Sequence, residues 1–194
     1  MPRVSREQTD RNRAAIEDVS ARLFREQGFN GVSVADLMAA AGLTHGGFYG
    51  HFASKDALAA LACGKAFEQS TQRWAQRIAA HADPRAAFHA IADSYLSPAS
   101  RDSAGSGCPA AALAADVARE APEQPVRAVY LAGVKGLLGQ LAALSTQDQP
   151  AGRRDEALLQ MAAMAGALLL ARATQGDPVS DQMLAAVRNF LHRS

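Results

Sequence analysis

Between Asp10 and Ser54 the chain is cut into short helical pieces by closely spaced capping residues and glycines, and this punctuation leaves few folds open. Ile16, Val19, Leu23 and Phe24 recur at helical spacing, with Arg13, Glu17 and Arg22 off that stripe. They predict a first helix over about 10–28, stopped by Gly28, because glycine accepts the left-handed conformation that closes a helix. Ser33 followed by Asp36 has the spacing of a capping box for a short second helix. Val34, Leu37 and Met38 face inward on it, and Gly42 ends it. Thr44 suits the N-cap of a third helix reaching about Gly50. Ser54 suits that of a fourth, with Asp56 near its positive end and Leu58, Leu61, Phe67, Trp74 and Ile78 carrying it towards Ala80.

Downstream the same logic continues. Pro84 opens a fifth helix with Phe88, Ile91, Tyr95 and Leu96, and Ser97 to Gly107, rich in Ser, Gly and Pro, reads as a loop. A short helix is expected from Pro109 to about Arg119 and a longer one from Glu123 to about Leu144. Gln147 to Gly152 is a polar connector. The last two helices span about Arg154–Thr174 and Val179–His192, parted by Gly176, Asp177 and Pro178. Apolar residues make up 48% of the chain, largely alanine and leucine, and runs of Val, Ile and Thr are nearly absent. The fold class is therefore all-α, about nine helices, with no internal repeat and no heptad run.

Three short helices with a tight Ala41–Gly42–Leu43 turn between the second and third match a helix-turn-helix. The turn sends the third helix outward, and a major groove about 12 Å wide admits one helix with a slim leading edge. Thr44, His45, Gly46 and Gly47 offer such an edge. Glycine costs about 1 kcal/mol against alanine inside a helix, so two in one short helix call for an explanation, and close approach of the backbone to DNA is one. Global electrostatics do not advertise a nucleic-acid partner, since the formal net charge is +1. Residues 1–56 hold seven Arg or Lys against seven Asp or Glu, with the positive excess in an arm carrying Arg3, Arg6, Arg11 and Arg13. That arm is expected to add phosphate or minor-groove contacts.

The run Gly42 to Leu58, GLTHGGFYGHFASKDAL, together with Phe24, Gly28, Phe29, Val34 and Ala41, resembles the TetR family of transcriptional regulators over residues 10 to 60. The resemblance implies a helix-turn-helix DNA-binding domain over 1–53 and a helical ligand-binding and dimerisation domain over 54–194. Tyr49, His51 and Lys55 would bond phosphates, and Thr44 would meet phosphate or base edges. His45, Gly46 and Gly47 would lie against the bases, and Phe48 and Phe52 would anchor the recognition helix. Gly50 departs from the family pattern, since many members carry a longer side chain there. The implied function is a homodimeric, cytoplasmic regulator of a double-stranded DNA operator, a repressor released by a small, largely apolar or aromatic effector. The competing class is a ligand-binding or scaffold protein that has lost DNA binding.

By the same resemblance, Trp74, Phe88, Tyr95, Met161 and Met164 would enclose the effector cavity, with Cys108 close by. The plain alternative for each is ordinary core. Cys108 occupies a Gly–Cys–Pro corner at a helix start, where a thiol can be activated or can simply close the corner as a small buried residue. Cys63, between Ala62 and Gly64, reads as packing. The two cysteines form no disulfide framework, which suits a reducing compartment. Apolar stripes on the last two helices, Leu158, Leu159, Met161, Ala162, Ala165, Leu168 and Leu169 on one and Met183, Leu184, Val187, Phe190 and Leu191 on the other, suit an isologous four-helix dimer interface. His45, His51, His81, His89 and His192 lack metal-ligand spacing, and neither a phosphate-cradling loop nor a nucleophile elbow is present. No cofactor and no enzyme activity are expected. The longest apolar run, Met161 to Ala171, is short of the roughly 20 residues that span a bilayer, and the polar start through Arg13 does not read as a secretory signal.

Overall fold

Every regular element among residues 6–193, the residues described by the computed structural model, is helical. The α-helices are α1 (Arg6–Gln27), α2 (Val34–Ala40), α3 (Lys55–Ala79), α4 (Pro84–Tyr95), α5 (Pro98–Asp102), α6 (Pro109–Ala112), α7 (Ala114–Arg119), α8 (Pro125–Leu144), α9 (Pro150–Ala173) and α10 (Pro178–Arg193). Two 3₁₀ segments, His45–Gly50 and Ala104–Ser106, interrupt them.

Several bounds differ from the pattern-based expectation, for local reasons. The first helix begins at Arg6, where side chains four apart pair: Arg11 with Glu7 at 2.8 Å, and Gln8 with Asn12 at 2.8 Å. The stretch expected as a loop carries α5, because Ser97 caps the Ser100 amide and Pro98 sits at the first helical position. The helix expected over Pro109–Arg119 breaks at Leu113 into α6 and α7. The connector ends early because Pro150 already starts α9.

One continuous apolar core runs from Ile16 to Leu191. Helix α3 is its axis, packed on α1 at one side and on α8 and α4 at the other, while α9 packs on α8 and α10. Helix α3, wholly within 54–194, packs on α1 of the segment 1–53. Phe67 of α3 meets Tyr130 of α8 edge-on at 5.4 Å.

The far end of α1 is tied into the downstream helices. Gly28 adopts φ +75° and lies against Asp116 of α7. Arg25, 6% exposed, donates to the carbonyls of Ala21 and Gly107 and to Gln69. Arg73 of α3 donates to the Ser106 carbonyl at 3.0 Å, and Arg172 of α9 to those of Ser100 and Arg101. Three helices therefore grip the segment 100–107 through its backbone. Burial, reinforced by neighbouring Arg73, lowers the Arg25 guanidinium to about 10, which leaves it charged at neutral pH.

Candidate nucleic-acid interface

The turn that aims the third helical segment is built from backbone hydrogen bonds. Gly42, at φ +72°, donates to the Ala39 carbonyl at 3.0 Å, and Leu43 donates to that of Met38 at 2.9 Å. This pair of bonds is the Schellman closure, and the positive φ is why a glycine stands there. The start of α2 carries the expected capping box. The Asp36 amide donates to the Ser33 hydroxyl and the Ser33 amide returns a bond to the Asp36 carboxylate, at 3.2 and 2.9 Å. The Ser33 hydroxyl, donating to the Asp36 carboxylate at 2.6 Å, and then the Ser33 amide hold that carboxyl below the usual carboxylate range.

The recognition segment is a 3₁₀ helix over His45–Gly50, not the α-helix expected, and the Thr44 hydroxyl makes no capping bond. Gly46, Gly47 and Gly50 take half its positions, which weakens α propensity and leaves a short, tighter coil. Phe48 is fully buried and Phe52 nearly so, with ring centroids 5.7 Å apart, so the segment is anchored from beneath as expected. Tyr49, edge-on to Phe48, is 72% exposed. Thr44, His45, Gly46 and Gly47 are exposed, and His51 and Lys55 are half-buried at the same end. A Cβ on Gly46 or Gly50 would meet nothing within 4 Å, so the backbone edge is bare there. Ser54 caps the next helix through the Ala57 amide at 3.0 Å, placing Lys55 at its first position.

Arg13 departs from the role expected of the arm. It donates to the His51 carbonyl at 2.8 Å, pairs with Glu17 at 3.1 Å and lies 4.8 Å over the Phe52 ring. Arg11 is engaged with Glu7 and Gln8 on its own helix, and Arg3 lies outside the described residues. Sequence reasoning missed the bond to His51 because it joins positions 38 apart.

The six residues expected around an effector are all buried. Trp74 meets Tyr95 edge-on at 6.2 Å, and Met164 is fully enclosed. Burial, ahead of neighbouring Cys108, holds the Tyr95 phenol well above its ordinary range. Phe88 instead lines a cleft with Arg85, His89, Leu141, Leu144 and Gln160. Cys108 is buried at the start of α6 and makes no side-chain cap bond; Cys63 is buried and its thiol is pushed up to about 12 by desolvation. Among the described residues, no three His, Cys, Asp or Glu side chains gather as metal ligands. On α9 and α10 the apolar stripes divide: Met161 and Leu168 turn inward, while Leu158, Leu159, Leu169, Leu170, Val179 and Phe190 are exposed.

An all-helical chain with a glycine-closed helix-turn-helix at one end belongs to the class of helix-turn-helix proteins. Residues 16–62 match the profile of the bacterial regulatory proteins of the tetR family. The HTH-type transcriptional regulator AcrR of Shigella flexneri is 38% identical over 58 residues, 30% of this chain and 27% of that protein, so the match spans about a quarter of that relative. A TetR transcriptional regulator from Chloroflexus aurantiacus superimposes with a TM-score of 0.77 at 25% identity, over 96% of this chain and 95% of its own. The regulator AibR, in complex with isovaleryl coenzyme A and operator DNA, does so at 0.66 and 19%, over 93% and 98%. Residues 16–62 thus resemble the DNA-binding segment of the tetR family, and the helical fold of the described residues is similar to that of solved TetR regulators.

Proposed function

We propose that this protein is a homodimeric transcriptional repressor whose grip on operator DNA is released by a small, largely apolar or aromatic effector. The observation that carries this reading is the recognition segment: Tyr49 stands 72% exposed on a bare glycine edge that Phe48 and Phe52 fix from below. In the groove, the Tyr49 hydroxyl, the His51 imidazole and the Lys55 ammonium reach phosphates, while Thr44, His45 and the backbone of Gly46 and Gly47 approach base edges. The domain carries little net charge, so affinity depends on these few placed groups.

Dimerisation uses the exposed apolar face of α9 and α10. By length and mean hydropathy of 1.3, α9 could also cross a bilayer. A second copy covering Leu159 and Phe190 explains that face without a membrane, and the protein then works in the cytoplasm beside its DNA. The effector enters the helical bundle at or beyond the Phe88 cleft, towards Trp74, Tyr95, Cys108, Met161 and Met164. Its preference for one arrangement of α4, α8 and α9 passes to α1 through the arginine-held segment 100–107 and changes the spacing of the recognition segments.

Binding measured by mobility shift on duplexes that the protein enriches from a random-sequence pool tests this reading. Lys55→Ala is expected to weaken binding and to lower the slope of log K against log salt by about 0.9, as loss of one phosphate contact requires. Tyr49→Ala is expected to weaken binding with the slope nearly unchanged, because it removes no charge. Weak, equal binding by all three proteins, or no enriched duplex, contradicts it and favours a helical protein without DNA binding.

A further inference from the structure

We propose that Arg13 is a positioning residue that latches the recognition segment to α1 and sets DNA affinity without touching DNA. The inference rests on the DNA-binding reading above and assigns Arg13 a role opposite to that of an arm that grips phosphate.

Three different parts of the guanidinium are in use. One terminal nitrogen donates to the His51 carbonyl at 2.8 Å, Nε donates to Glu17 at 3.1 Å, and the plane lies 4.8 Å from the centre of the Phe52 ring. His51 closes the 3₁₀ segment, so its carbonyl stands at the helix end, where acceptors lack an intrahelical partner. The Phe52 ring is one of the two anchors beneath the segment. Arg13 therefore grips both the terminal carbonyl of the recognition segment and the ring that supports it.

Alternative routes from α1 to this segment are few. Helix α2 packs on α1 and on the 3₁₀ segment, and the principal contacts run through it. The other end of the segment leaves α2 through the Gly42 turn, a backbone hinge closed by two hydrogen bonds. Without Arg13 the segment keeps its buried Phe48 but loses the tie that sets its tilt about that anchor. A change in tilt moves Tyr49, His51 and Lys55 together. Arginine suits the task because its planar fork can donate in two directions while stacking; a lysine ammonium supplies one compact charge and no plane.

That difference makes the test decisive between a latch and a phosphate contact. Arg13→Gln is expected to weaken binding to the enriched duplex about tenfold, the worth of one charge-assisted hydrogen bond. The salt slope should stay at the wild-type value, where a phosphate contact would reduce it by about 0.9. Arg13→Lys should behave like Arg13→Gln, whereas a phosphate contact would be largely restored by the lysine charge. Hydrogen exchange on the free protein gives a readout independent of DNA. Amides of residues 45–52 should exchange faster in Arg13→Gln, with those of α8 to α10 unchanged. A reduced salt slope, full rescue by lysine, or unaltered exchange at 45–52 each overturns the latch. Failure of the wild type to enrich any duplex overturns the DNA-binding reading instead, and the exchange experiment still decides whether Arg13 holds the segment.

Discussion

Gly133 lies in the middle of α8, where that helix crosses α3, and an alanine there tests the packing that joins the linker helix to the rest of the bundle. A Cβ at this position would stand 2.5 Å from Cδ1 of Phe67 and closer still to Cγ and Cδ2. Ordinary carbon contacts are about 3.5–4.0 Å, so more than an ångström of overlap must be relieved. Phe67 is 3% exposed and is held edge-on by Tyr130, so the ring has no free volume to enter. Overpacking of this kind costs up to about 3 kcal/mol, against roughly 1 kcal/mol that alanine gains over glycine inside a helix. The net expectation is a loss of about 2 kcal/mol, read from urea unfolding at constant protein concentration. Gly136 and Gly139 on the same helix are internal controls. A Cβ there meets nothing, so alanine should stabilise by roughly 0.5–1 kcal/mol. In a Phe67→Ala background the effect of Gly133→Ala should reverse sign and resemble the controls. If Gly133→Ala stabilises the wild-type protein as much as Gly139→Ala does, the close α3–α8 approach described above is wrong.

Two further outcomes follow from exposed or titrating groups. Leu159 and Phe190 are 72% and 61% exposed, so Leu159→Glu and Phe190→Glu should leave helix content intact while shifting the protein to monomer in sedimentation; a persistent dimer would move the interface elsewhere. Burial, with His192 and Arg85 opposing Asp93 and Asp83, holds the His89 imidazole below 6.5, and the ring stacks on His192 at 4.1 Å. The folded state therefore binds fewer protons than the unfolded chain just below that pH, and stability should fall as pH drops through about 6.5 and level off below the folded value. Unfolding free energies from about pH 7.5 to 5.5 should diverge between wild type and His89→Gln, and parallel profiles would refute the shift.

What could be read along the chain was what local chemistry dictates. The Ser33–Asp36 box, the Ser54 cap and the stops at Gly28 and Gly42 depend on neighbours within a few residues, and all are found; the burial of Phe48 and Phe52, implied by the resemblance, is found too. The family motif added the location of the candidate site. Contacts between distant positions were not legible. Arg13 lies off the apolar stripe and reads as part of a basic arm for phosphates, yet its carbonyl partner is 38 residues away. The same limit hid the convergence of Arg25, Arg73 and Arg172 on segment 100–107. Helix type at His45–Gly50 was misjudged because the capping pattern of Thr44 outweighed the cost of three glycines. The division of the α9 stripe into buried Met161 and exposed Leu159 depends on where α8 and α10 pack, which periodicity alone does not state.

Hydroxyl-radical footprinting on the enriched duplex, with wild type and Leu159→Glu side by side, tests the central claim most directly. A dimer presenting two exposed recognition segments should protect two backbone patches related by a two-fold axis and centred about 34 Å apart, one helical turn or a multiple of it. Leu159→Glu should lose this paired protection at concentrations where the wild type is saturated. A single protected patch for the wild type, or a pair that survives when the variant is monomeric, would contradict the account.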